Sequence, residues 1–99
     1  MHEYSLTQNI IEIAERYAKD AASGKSPNFS IKKIGLVIGE ASGISGESVR
    51  LYFDIIAQNT VCEGAVLEIE TIKPVFKSGD NVSAVTGMEF FVKYIEVDI

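Results

Sequence analysis

The chain has 99 residues, is 46% hydrophobic and 23% charged, and carries a net charge of −5. That length suits one domain with a single two-layer core, and the composition is that of a folded chain rather than a disordered one. An acidic chain whose largest basic group is Lys32-Lys33 is not expected to bind nucleic acid.

The first helix is predicted over residues 4–22. Leu6, Ile10, Ile13, Tyr17 and Ala21 recur at helical spacing and are expected to form its buried face. Gly24 and Pro27 are stop signals, and residues 23–30 read as a polar loop. A strand follows over residues 31–38, with Ile34, Leu36 and Ile38 on one face. The small-residue run Gly39 to Gly46 contains three glycines, but its spacing is neither a Rossmann nor a Walker A pattern and no lysine follows. A tight structural turn is expected there, with Ser45 capping a second helix whose apolar face is Val49, Tyr52, Phe53 and Ile56.

A second strand is predicted over residues 65–72, with Leu67 and Ile69 facing one way and Glu68 and Glu70 the other. Residues 74–86 read as a connection with a turn at Gly79-Asp80-Asn81. A third strand covers residues 88–97, where Phe90, Phe91 and Val92 place apolar groups on both faces. The order α-β-α-β-β implies an α+β fold, a two-layer sandwich with two helices on a small three-stranded sheet. An open face or edge of that sheet invites a homodimer, through the open sheet or by strand exchange. Most aromatic residues are expected in the core, with Phe90 or Phe91 as interface candidates.

No apolar run is long enough to span a bilayer and no basic-then-apolar leader is evident, so a cytoplasmic protein is expected. Cys62 is the only cysteine, so neither an intramolecular disulfide nor a four-cysteine zinc site can form. Nothing near it in sequence favours a reactive thiolate. Enzyme activity has no support from a nucleophile–base set or a cofactor fingerprint.

The only histidine is His2. It stands beside the Met1 amine and its own backbone amide, so an imidazole and several nitrogens can chelate one ion in small rings. Tetragonal nitrogen coordination favours Ni(II) or Cu(II). A solvated, idle histidine is the competing reading for a chain end. Among the many carboxylates, Glu3 adjoins His2 and Glu40 ends a strand, so these two are singled out.

The segments Met1-His2-Glu3-Tyr4-Ser5-Leu6, residues 34–44, residues 47–53, residues 63–70 and residues 92–97 resemble, in order, the HypA/HybF family of hydrogenase nickel-insertion proteins. The resemblance implies a cytoplasmic nickel metallochaperone for nickel-iron hydrogenase, working with a partner GTPase and a nickel-enzyme precursor. It places the metal site at Met1, His2 and Glu3: the His2 imidazole and backbone nitrogen, the Met1 amine and the Glu3 backbone nitrogen. Family members carry a zinc domain with two Cys-x-x-Cys pairs where this chain has only residues 74–86. The expected protein is therefore one HypA-like nickel-binding domain over residues 1–99, with transient nickel and no zinc. A metal-free interaction module on the same scaffold, recruiting a client enzyme or GTPase, is the alternative.

Overall fold

The structure is a computed structural model that describes residues 3–22, 29–77 and 83–98. Helix α1 spans Glu3–Ala21, strand β1 Ser30–Gly39, helix α2 Gly46–Ile56, strand β2 Val66–Ile72 and strand β5 Phe90–Asp98. Two short strands, β3 (Val75–Lys77) and β4 (Ser83–Val85), lie between β2 and β5. The main sheet has the order β2-β1-β5. Strands β1 and β2 run parallel, joined across α2, and β5 pairs antiparallel to β1. Parallel neighbours need such a crossover, and a helix is the usual way to make it.

The expected α+β sandwich is what forms. β1 is the central strand, and Ile34 to Gly39 are buried. Ile34, Leu36 and Ile38 pack with Leu67, Val49 and Phe53 in the core. Burying a side chain of this size contributes about 1.5–3 kcal/mol. Leu67 and Ile69 face the helices, while Glu68 and Glu70 take the opposite face, as their alternation requires.

The face of α1 differs from the one predicted. Thr7, Ile10, Ile11, Ala14 and Ala18 are buried, whereas Ile13, Tyr17 and Ala21 are exposed, Tyr17 by 60%. Ala14 and Ala18 have no bulk to hold the sheet away, so the helix settles on its small residues. The larger Ile13 and Tyr17 are left at the margin. Exposure of Tyr4, Phe91 and Tyr94 likewise leaves Phe53 as the fully buried ring among the described residues.

The connection over residues 74–86 also differs from expectation. It holds a two-stranded ladder in which Val75 pairs with Val85, Phe76 with Ala84 and Lys77 with Ser83. β-Branched and aromatic residues flank the predicted turn and favour extended backbone. The turn residues Gly79, Asp80 and Asn81 lie outside the described residues.

The segment between β4 and β5 is joined to the end of β1 at close range. The Gly39 amide donates to the Glu89 carbonyl at 2.6 Å, and the Ala41 amide to the Gly87 carbonyl at 2.7 Å. A Cβ on Gly39 would run into the Gly87 carbonyl and the Glu89 amide nitrogen. Gly87, at φ +80°, would meet the Pro74 ring and the Ala41 methyl. Glycine at position 39 therefore permits backbone to touch backbone, and at position 87 it serves the positive φ.

Candidate functional site at the helix N-termini

The functional candidates gather where the N-termini of both helices meet the loop after β1. Ser45 caps α2, its hydroxyl accepting from the Ser48 amide at 3.2 Å, as its position before the apolar run predicts. Residues Glu40–Ser42 form a 3-10 turn, and Gly43 follows at φ +77°. The stretch read as a tight turn is one.

Glu3 opens α1. Its carboxylate accepts from the Ser45 backbone amide at 3.3 Å, and its carbonyl accepts from the Thr7 hydroxyl at 2.6 Å. Beside it, the Tyr4 and Tyr52 rings meet edge to face, with centroids 5.5 Å apart and planes at 77°. The Glu3–Ser45 bond and the tyrosine pair fasten the start of α1 to α2. A carboxylate there also complements the positive ends of both helix dipoles. Glu40 stands exposed at the start of the 3-10 turn in the same loop. Met1 and His2 lie outside the described residues, so of the three predicted ligands the structure places Glu3.

Cys62 is fully buried in the core. Burial, reinforced by the charge of Glu15, pushes its thiol up to about 11. Such a thiol is neutral and shielded, which is the opposite of a metal ligand or nucleophile. Among the described residues, no three of His, Cys, Asp and Glu come together as a metal-holding group. The donors of a four-cysteine zinc site are missing from the sequence, and the one thiol present is buried in the core, so these residues do not fit a four-cysteine zinc site.

The outer face of the sheet carries a second polar cluster. Tyr94 lies opposite Gly35 on β1, its ring filling the space a Cβ would take, and its hydroxyl donates to Glu68 on β2. Lys33 pairs with Glu68 at 3.5 Å and Lys93 with Glu70 at 3.2 Å. Glu68, Glu70, Lys93 and Tyr94 line a hollow of about 210 Å³. The bond from Tyr94 holds the Glu68 carboxyl below its ordinary value, and the same bond pushes Tyr94 up to about 12. The contribution of Glu68 is thus present above the unfolded carboxylate range and is lost as pH falls through its lowered pKa. That of Tyr94 is present below the unfolded tyrosine range and is lost as pH rises through about 12. In a spectrophotometric alkaline titration, one tyrosine should ionise late, near 12. Glu68→Gln should return it to the ordinary tyrosine range, and an unchanged late step would refute the assignment.

The comparisons agree with this architecture. The family model for hydrogenase/urease nickel incorporation, the HypA metallochaperone, matches residues 1–79. The hydrogenase maturation factor HypA of Dehalococcoides mccartyi (strain 195) is 33% identical, with 99% of this chain and 95% of that protein covered. That alignment runs over 118 positions against the 99 residues here, so the relative carries residues that this chain does not match. The factor of the same name from Rippkaea orientalis is 45% identical over 69 residues, covering 70% of this chain and 54% of its own. The solution structure of the Ni metallochaperone HypA from Helicobacter pylori superposes with a TM-score of 0.74 at 24% identity over 97% of both chains, a match of fold. No helix among the described residues is long and apolar enough to cross a membrane. By the match over residues 1–79 and the identity to full-length relatives, the chain belongs to the HypA family of hydrogenase and urease nickel-incorporation proteins.

Proposed function

We propose that this protein captures Ni(II) at its N-terminal segment and delivers it during maturation of a nickel enzyme such as nickel-iron hydrogenase, with nickel as cargo. The ligands are the Met1 amine, the His2 imidazole and backbone nitrogen, and the Glu3 backbone nitrogen. The observation that carries this reading is the position of Glu3. It opens α1, and its carboxylate is tied to the cap of α2. The start of α1, next in sequence to Met1 and His2, is thereby fastened to the cap of α2.

A ligand set of nitrogens in small chelate rings suits Ni(II). Binding releases protons from the amine and the amides, so affinity falls as pH falls. The protein is a carrier and not an enzyme, and it acts in the cytoplasm. Residues 1–99 form one nickel-binding domain, with residues 74–86 in the place of the family's zinc domain and no resident zinc. Its partners are a GTPase and the nickel-enzyme precursor.

The test uses the amine. Protein with a free Met1 amine should bind one Ni(II) with the absorption of a tetragonal nitrogen site, increasingly so as pH rises. N-terminally acetylated protein should lose that spectrum. Equal binding by both forms would remove Met1 from the ligand set.

A further inference from the structure

Helix α2 leaves an apolar strip in water close to the start of α1. Its inner face buries Val49 and Phe53, while Leu51 is 60% exposed and Ile55 53%. These two stand four residues apart, so they lie one above the other on the helix surface. Half-buried Tyr52 adjoins Ile55 at the three-residue spacing, and its ring meets that of Tyr4, which is itself exposed. Leu51, Ile55, Tyr52 and Tyr4 therefore make one continuous strip that reaches from α2 to the first turn of α1. Single exposed leucines are ordinary on a protein surface, but a contiguous apolar strip with a polar rim marks an interaction site.

The rim selects what can cover it. Glu47 precedes Leu51 by one turn and Asp54 follows it by three residues, both exposed. On α1, exposed Glu12 lies two turns beyond Tyr4. The single cation of α2, Arg50, is drawn to the sheet, where it donates to the Leu67 carbonyl at 2.6 Å. The border of the strip is thus acidic, like the chain as a whole at −5. A second copy docked here would set these carboxylates against their own kind across a two-fold axis. A partner with lysines or arginines around an apolar ridge meets them with opposite charge. The strip is narrow and follows a helix surface, the form that the i, i+3 and i+4 anchors of an amphipathic helix fill.

We propose that this strip is the docking surface for an amphipathic helix with a basic polar face, carried by a partner protein. Tyr4 is two residues along the chain from His2, so a partner docked there stands beside the proposed cargo segment. That consequence rests on the nickel reading, and the docking does not.

The test is an NMR titration of the metal-free full chain with two synthetic helical peptides. One carries leucines on one face and lysines on the other, and the second has glutamates in place of the lysines. The lysine peptide should shift the amide signals of Tyr4, Leu51, Tyr52 and Ile55, and the glutamate peptide should shift none of them. Leu51→Ser combined with Ile55→Ser should weaken the lysine peptide roughly tenfold or more, the scale of losing anchor residues. Ile13→Ser combined with Tyr17→Ser, at the exposed apolar pair elsewhere on α1, should leave it unchanged. Glu47→Lys combined with Asp54→Lys should exchange the preference between the peptides. Absence of binding overturns the proposal. So does equal weakening by the two apolar double variants, and so does a charge reversal that leaves the preference unchanged, since either reduces the binding to attraction by net charge. His2→Ala should bind the lysine peptide like the parent, and the Leu51→Ser, Ile55→Ser protein should bind nickel like the parent. Failure of the docking surface and failure of the nickel site are thereby read separately.

Discussion

His2→Ala should lower the affinity for Ni(II) by two orders of magnitude or more while leaving the fold in place. The imidazole disappears, and the chelate ring it closes with its own backbone nitrogen goes with it. Among the described residues the core starts at Thr7. Circular dichroism and the thermal midpoint should therefore match the parent, so that loss of binding reports on the ligand alone. Glu3→Ala should behave differently. It removes the carboxylate that accepts from Ser45 but keeps the backbone nitrogen. Affinity should fall by less than about tenfold, the scale of one exposed hydrogen bond to a charged group. A His2→Ala protein that binds nickel like the parent would refute the site.

Gly39→Ala should destabilise the protein by roughly 3 kcal/mol, the upper range for forced overpacking. Its methyl group would collide with backbone atoms of Gly87 and Glu89, which cannot rotate away as a side chain can. Relief requires the segment 87–89 to move off β1, at the cost of the Gly39–Glu89 and Ala41–Gly87 hydrogen bonds. For a domain of this size the thermal midpoint should fall by about 10 °C or more. The methyl at Gly35 is a useful contrast. It would meet only the ring of Tyr94, an exposed side chain that can swing aside. Gly35→Ala should therefore cost less than Gly39→Ala. Equal melting points for the two variants would contradict the packing described at the end of β1.

The sheet was legible in the sequence because its strands alternate. Ile34, Leu36 and Ile38, and Leu67 and Ile69 against Glu68 and Glu70, leave one choice of inner face. The cap at Ser45 and the turn at Gly43 were legible because their residue types serve few other ends. The face of α1 was misread because periodicity weighs large apolar residues. The helix instead buries Ala14 and Ala18, and two stripes separated by one residue fit the spacing almost equally well. The β3–β4 ladder was missed because Pro74 and the Gly-Asp-Asn turn outweighed the short extended runs beside them. The Tyr94–Glu68 bond could not be read at all. It joins residues 26 apart through the gap left by Gly35, and only strand register brings them together. At the candidate site the proposal for His2 rests on its position beside the amine. The attachment of Glu3 to Ser45 spans 42 residues and is a product of the fold.

The most direct test of the central claim, nickel capture at the N-terminus without a zinc domain, is calorimetric titration of Ni(II) into zinc-free protein with a free Met1 amine, beside His2→Ala. One equivalent of nickel should bind to the parent, unchanged by added zinc, and none should bind specifically to the variant. Nickel binding that survives in His2→Ala, or that appears only after zinc is supplied, would contradict it.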